Sequence, residues 1–438
     1  MSSTITAADV TDPDPQAFVP ACRAVVRAGT LMASAGTGAY RVKEAMNRVG
    51  RALGLDSVQA EVTLNTVVAT CARGERSHTL VGTIPAVSVN AGRIGALETL
   101  SLSTRPGMGV AEVEAGLDAI AAAPPRYGLA ATAFAAMAAC GAFCFLNNGG
   151  WIECLGAAAG AGAGQCLRAA LARRRLNQLG VALLAGIAAC IVYLALTGLV
   201  ISLGYTTPRH DAGYTSAVLF LIPGFPLITA GLDLARLDFS AGISRLTYAV
   251  LMVTVASISA WTVADFVHLT PQVAPPLELA PALSLVLRLA ASFVGVYGFA
   301  SMFNTPPRVA LGAAAIGMVA NTLRLYLVDA GLPLQAAAPC ATLLVGLLAT
   351  VASPRLRCPR ITLTVPAVLI MIPGTTAYRA LVYGNLGMPV EAMSNAWLAV
   401  FVVAGIAIGL AAARMLTDRV WAFEGQTPGT PPPGRGTR

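Results

Sequence analysis

The chain has 438 residues, 56% of them hydrophobic and only 11% charged, with a mean hydropathy of +0.70. That composition excludes an ordinary soluble enzyme of this length and points to a chain held largely in lipid. The net charge of +8 comes from basic residues in short loops between apolar stretches, which excludes a nucleic-acid-binding face and reads as membrane orientation instead.

Residues 1–16 are polar and include Asp9, Asp12 and Asp14, with no basic n-region and no short apolar run behind them. The expectation is a disordered, cytoplasmic N-terminus without a signal peptide. From 17 to 127 the pattern is that of a small cytosolic α/β domain. Helices are expected at 17–35 and 38–53, the second with Val42, Ala45, Met46, Val49, Ala52 and Leu53 as an apolar stripe opposite Arg41, Lys43, Arg48 and Arg51. Alternation predicts strands at 58–62, 66–72 and 78–84, the last two joined at Gly74. Helices at 91–103 and 109–122 follow, and Pro124-Pro125 marks the boundary. Gly36-Thr37-Gly38 lacks both G-x-G-x-x-G and a P-loop lysine, so a helix start is its expected role. No G-x-S-x-G elbow organises Ser34, Thr63, His78 and Asp56 into a hydrolase set. The nine cysteines are scattered, without C-x-x-C or zinc spacing, so neither a metal site nor a cofactor is expected.

After Tyr127 come ten apolar segments of spanning length, at 129–146, 149–171, 179–204, 213–234, 240–266, 282–303, 308–329, 333–352, 361–383 and 391–416. They divide into five-helix units at 128–267 and 282–417, followed by a Pro-rich tail, 425–438, expected to be disordered. Arg173-Arg174-Arg175, Arg236 with Arg245, Arg308, and Arg355, Arg357 and Arg360 fall on one side if the first segment starts inside, while the loop 268–281 has no Lys or Arg. Both termini are then cytoplasmic.

Ile222-Pro223-Gly224 recurs as Ile372-Pro373-Gly374, each about ten residues into its segment. At 1.5 Å per residue that is roughly 15 Å deep, near the middle of a hydrocarbon core of about 30 Å. Proline removes a backbone donor and glycine weakens a helix, so both segments should break there. Paired breaks in corresponding helices of two halves point to a secondary transporter, with the resumed half-helices aiming N–H groups at a carboxylate. A kink filled by packing is the alternative. The copies lie five crossings apart, so they run in opposite directions and the repeats are inverted; Gly141 to Asn147 and Gly298 to Asn304 give a weaker echo. Pro223, Gly224, Pro226, Pro373, Gly374, Tyr378 and Arg379 are the candidate substrate-binding residues. Asp233 and Glu153 are the candidate proton carriers, because an ionisable group within a span is paired, hydrated or functional. A helix-end pair between Asp233 and Arg236 and an interfacial Glu153 are the structural alternatives.

The arrangement resembles the threonine/serine exporter family, in which a cytosolic N-terminal domain precedes two five-helix units. The resemblance runs from about Val25 to Leu416. Its carriers are Gly29, Leu31, Ser34-Ala35-Gly36-Thr37-Gly38-Ala39-Tyr40-Arg41-Val42-Lys43-Glu44, Ala52-Leu53-Gly54-Leu55, the helix start from Asn90 to Leu100, Pro223-Gly224-Phe225-Pro226 with Asp233, and Pro373-Gly374 with Tyr378-Arg379. This chain departs from the pattern with Thr63-Leu64-Asn65 in place of Pro-Thr and with Glu153 where Asp is usual. The resemblance implies a multi-pass inner-membrane protein that exports small amino acids, threonine and serine, by antiport with protons, and a functional motif at Tyr40, Arg41 and Glu44. The partners are then the amino-acid substrate, protons and the bilayer, without nucleic acid, and a homo-oligomer is left open. Two rivals stand beside it: a dicarboxylate exporter using Arg379 or Arg324 as an extra cation, and a membrane-tethered enzyme built on the N-terminal domain.

Overall fold

The computed structural model describes residues 17–84, 88–205, 211–269 and 273–422; the stretches 1–16 and 425–438, expected to be disordered, lie outside the described residues. The chain divides into two compact units, one comprising residues up to Ser88 with Ala96–Ala123, the other Val89–Gly95 with everything from Pro124 onward.

In the first unit, α1 (Phe18–Ser34) and α2 (Ala39–Ala52) precede three antiparallel strands, β1 (Ser57–Val62), β2 (Thr66–Arg73) and β3 (Arg76–Thr83), in the order β1-β2-β3. Gly74 adopts φ +56° in the β2–β3 turn, where Arg73 pairs with Arg76; the left-handed conformation costs glycine little. Period-two alternation sends Val67, Ala69 and Cys71 inward, while the cross-strand partners Val68 and Val81 stay exposed. Val25, Met32, Val42, Met46 and Val49 complete the core from the two helices. Two further helices follow, α3 (Ala91–Ser103), which belongs to this unit from Ala96 onward, and α4 (Val110–Ala122), and Arg27 pairs with Glu114 and Asp118 to tie α1 to α4. These elements match the expected ones to within a residue or two.

The second unit is helical. Its helices are α5 (Leu129–Leu146), α6 (Trp151–Arg173), α7 (Gln178–Ser202), α8 (Asp211–Ala217), α9 (Gly224–Leu234) and α10 (Phe239–Phe266). They are followed by α11 (Pro281–Met302), α12 (Pro307–Asp329), α13 (Leu334–Leu356), α14 (Arg360–Leu369), α15 (Gly374–Asn385) and α16 (Pro389–Thr417). Among the described residues, seven helices are long and apolar enough to cross a membrane, or eight if α14 and α15, bent by 49°, form one span. That is fewer than the ten segments expected. Two of the expected segments are not among these: α6 carries Glu153, Gln165, Arg168 and Arg173 in its 23 residues, and the stretch from α8 to α9 is broken into short pieces. Exposed positions such as Leu184, Ile191, Val250, Val400 and Phe401 form an apolar exterior, while alanine and glycine fill the contacts between helices. On α6, a β-carbon at Gly160 would stand 2.5 Å from Ala189 O and one at Gly164 2.9 Å from Ala185 O, so the small residues let α6 and α7 approach closely. Asn148 and Asn304, with φ 64° and 56°, stop α5 and α11; the echo at these helix ends is thus registered on Asn148 rather than Asn147.

Candidate functional site

Both Ile-Pro-Gly segments are broken helices. The first runs through α8, a 3-10 turn at Leu219–Leu221, Pro223 and α9; the second runs through α14, Pro373 and α15. Pro223 has φ −80°, ψ 61° and Pro373 has φ −80°, ψ 62°. In each, the glycine N–H donates to the isoleucine carbonyl, Gly224 to Ile222 at 2.8 Å and Gly374 to Ile372 at 2.9 Å. The prolines are therefore the caps, and the glycines are the first helical residues.

The two breaks pack on each other reciprocally. A β-carbon on Gly224 would overlap Leu369 and approach Ile372, and one on Gly374 would lie 3.1 and 3.2 Å from Ile222 and Leu219. Leu219, Ile222, Pro223 and Gly224 recur at one constant interval as Leu369, Ile372, Pro373 and Gly374, so each break touches the other through equivalent residues. Self-complementary contact of this kind is what a two-fold relation produces. Aliphatic side chains, Leu219, Ile222, Leu369 and Ile372, lie between the half-helix starts.

What polar lining exists is unequal. The first N–H groups of a helix lack intrahelical partners, but Pro226 removes one of them from α9. On α15 the same positions are Thr375 and Thr376, and Thr376 Oγ1 donates to Pro373 O at 2.8 Å. Beside them a cavity of about 20 Å³ is lined by Thr215, Ser257, Gly374 and Tyr378 with Ile222 and Val253, room for about one water. Arg379, next on the helix and half-buried, is not among its lining residues. A second cleft of about 430 Å³, between α9, α10, α15 and α16, has an almost wholly apolar lining that includes Val250, Val253, Ala377 and Val400.

Tyrosines connect this region to Glu153. The Tyr378 ring lies 6.1 Å from Tyr214, which lies 5.8 Å from Tyr193, and Tyr214 Oη donates to Ala260 O at 2.6 Å. A β-carbon on Gly213 would stand 2.5 Å from Tyr193 Oη and 2.9 Å from Glu153 Cβ. Glu153 is 1% exposed and accepts from Gly150 N–H at 2.8 Å, capping the start of its own helix. Asp233 is ion-paired with Arg245 on α10, both at most 5% exposed. Arg245, counted as a loop arginine in the orientation argument, is thus a buried helix residue. In the first unit, Arg41 Nη1 donates to Glu98 Oε1 at 2.8 Å, Glu44 pairs with Arg48, and Tyr40 is half-buried.

The structure thus brings Gly224, Gly374, Pro223, Pro373 and Tyr378 together, while Asp233 engages a separate partner. Tyr193, Tyr214, Thr215, Ser257 and Arg245 were missed from sequence. The polar run Gly213-Tyr214-Thr215-Ser216 at the head of an apolar segment carried the signal for two of them.

Two family models match the chain: "Putative threonine/serine exporter" over residues 23–267 and "Threonine/Serine exporter, ThrE" over residues 288–416. Among curated proteins, "Probable succinate transporter subunit YjjP" of Escherichia coli (strain K12) is 29% identical over 252 residues, covering 55% of this chain and 94% of that protein. The protein of the same name from Klebsiella aerogenes is 25% identical over 232 residues, covering 52% of this chain and 87% of that protein. No solved structure matches. With the first family model spanning more than half of its length and the second most of the remainder, the chain belongs to the threonine/serine exporter family.

Proposed function

We propose that this chain is a secondary active exporter of small hydrophilic amino acids, threonine and serine, exchanging them for protons across the inner membrane with both termini in the cytoplasm. The observation that carries the reading is the reciprocal packing of the two breaks with matching proline dihedrals. It supports ten crossings arranged as two inverted five-helix repeats, 128–267 and 282–417, behind a cytosolic domain at 17–127. An odd number of crossings between equivalent residues makes the copies antiparallel.

In this reading the conformation is occluded. Leu219, Ile222, Leu369 and Ile372 separate from one another to admit substrate, whose carboxylate meets the N–H groups at the start of α15. Thr215, Ser257 and the Thr376 and Tyr378 hydroxyls supply partners for its ammonium and hydroxyl groups. Asp233 and Glu153 are the proposed coupling groups, and each is tied in place. Protonating Asp233 removes the charge facing Arg245, so α10 is freed from α9; protonating Glu153 weakens its bond to Gly150. Tyr40, Arg41 and Glu44 then belong to a domain that acts with the transporter. Pro223, Pro226 and Pro373 shape the breaks without donating hydrogen bonds.

Vesicles reconstituted with the chain and loaded with labelled threonine, serine or succinate test this. Threonine and serine efflux that accelerates when protons can flow inward is the expected result. Succinate efflux alone would replace it with the second reading, favoured by the likeness to the probable succinate transporter subunits, in which Arg379 or Arg324 meets the additional carboxylate. No efflux of any of the three would remove both.

A further inference from the structure

The helices α6 and α12 share more than their length. Leu155-Gly156-Ala157-Ala158-Ala159 of α6 recurs as Leu311-Gly312-Ala313-Ala314-Ala315 of α12, and Gln165 with Leu167-Arg168 recurs as Asn321 with Leu323-Arg324. Both arginines occupy the same place in helices of 23 residues, five residues before the last. Each bonds the side-chain amide three residues earlier: Arg168 Nη1 donates to Gln165 Oε1 at 3.4 Å, and Arg324 Nε donates to Asn321 Oδ1 at 3.0 Å. The second amide is itself anchored, since Asn321 Nδ2 donates to Ser292 Oγ on α11 at 2.9 Å and both side chains are fully buried. Among the described residues no carboxylate lies within ion-pair distance of either arginine. Asp329, the acid nearest to Arg324 in sequence, pairs with Arg288, whose guanidinium also lies 5.4 Å over the Tyr326 ring.

A guanidinium within a span needs an anion or a route to the interface. Five residues from a helix end is roughly 7 to 8 Å at 1.5 Å per residue, a depth that an arginine side chain spans. The anion met there is the phosphate of a phospholipid, and a guanidinium fork suits its geometry. In Arg324, the amide bond occupies Nε and leaves both terminal nitrogens for that fork. Arg168 is exposed and Arg324 half-exposed, so both are open to lipid.

We propose that Arg168 with Gln165, and Arg324 with Asn321 and Ser292, are two equivalent binding sites for the phosphate of a membrane phospholipid, one in each leaflet. The leaflet assignment rests on the inverted-repeat reading above; the phosphate contacts do not. Arg324 is then committed to lipid, which separates it from the dicarboxylate reading.

The test is native mass spectrometry of the full chain in detergent with added phosphatidylglycerol, using diacylglycerol as the matched lipid without phosphate. The wild type should retain two phosphatidylglycerol molecules, Arg168→Gln and Arg324→Gln one each, the double variant none, and diacylglycerol should not be retained. Asn321→Leu leaves the charge and removes its anchor, so it should lose one lipid, while Arg168→Lys and Arg324→Lys keep partial occupancy and control for folding. Two lipids on the double variant, equal retention of diacylglycerol, or displacement of the lipid by inorganic phosphate would overturn the proposal. Arg174→Cys and Ala330→Cys, in the turns beyond the two sites, should label with an impermeant thiol reagent from opposite sides. Labelling from one side would remove the leaflet assignment and the inverted repeat together, whatever the lipid count.

Discussion

At Gly224 a single methyl group would overlap Leu369, whereas at Gly374 the nearest atoms are 3.1 Å away, so the two breaks tolerate substitution differently. Leu369 is 3% exposed and has little room to turn aside. Gly224→Ala is expected to destabilise by about 1–3 kcal/mol, as overpacking does, and to slow transport more than Gly374→Ala. Leu369→Ala should rescue it. Thermal unfolding in detergent and initial efflux rates from vesicles check both statements; equal effects at the two glycines would remove the steric argument. In the first unit, burial chiefly, and then the neighbouring Cys22, push the Cys71 thiol from 9.0 up to about 12. Because the folded value is raised, the neutral thiol contributes stability that is fully present below pH 9 and is lost as pH rises toward about 12. Alkylation mapped by mass spectrometry should therefore leave Cys71 unmodified at pH 9 in the folded chain and modify it after denaturation.

Between elements, the decisive feature is the buried pair that joins α9 to α10. Removing one partner of such a pair leaves an uncompensated charge and costs about 3–5 kcal/mol, whereas replacing both can be nearly neutral. Arg245→Met should therefore be more destabilising than Asp233→Asn with Arg245→Met, and a double-mutant cycle on thermal stability measures the coupling. Asp233→Asn also separates roles: if Asp233 carries the proton, exchange of substrate persists while accumulation driven by a pH gradient is lost. Unchanged pH-driven accumulation in that variant would exclude it as the carrier.

For the whole molecule, orientation is the most direct test. Cys358, between Arg357 and Arg360, should resist an impermeant thiol reagent in intact cells and react after permeabilisation. Labelling from outside would reverse the topology. Deleting residues 1–127 should leave a membrane-inserted protein with impaired export; full transport by the truncated chain would show that the first unit is dispensable.

Much of this molecule was readable before any coordinates because its signals are local. Period-two alternation located β1, β2 and β3, the stripe on α2 located its buried face, and proline with glycine located both breaks, since each depends on a backbone property of the residue itself. Family membership was legible for the same reason, through short motifs such as Ser34 to Glu44 and Pro223 to Pro226. Partners were not. Arg245 lies near the start of the segment expected at 240–266, and only the packing of α10 on α9 turns it to Asp233. Tyr193, Tyr214 and Tyr378 are far apart along the chain, and the tertiary structure alone brings their rings, edge to face and tilted, into one row. The sequence by itself determined where the helices break, because missing donors and missing side chains act within one turn. Tertiary structure decided what fills the space between the breaks, because Leu219, Ile222, Leu369 and Ile372 meet only when two segments distant in sequence are packed face to face.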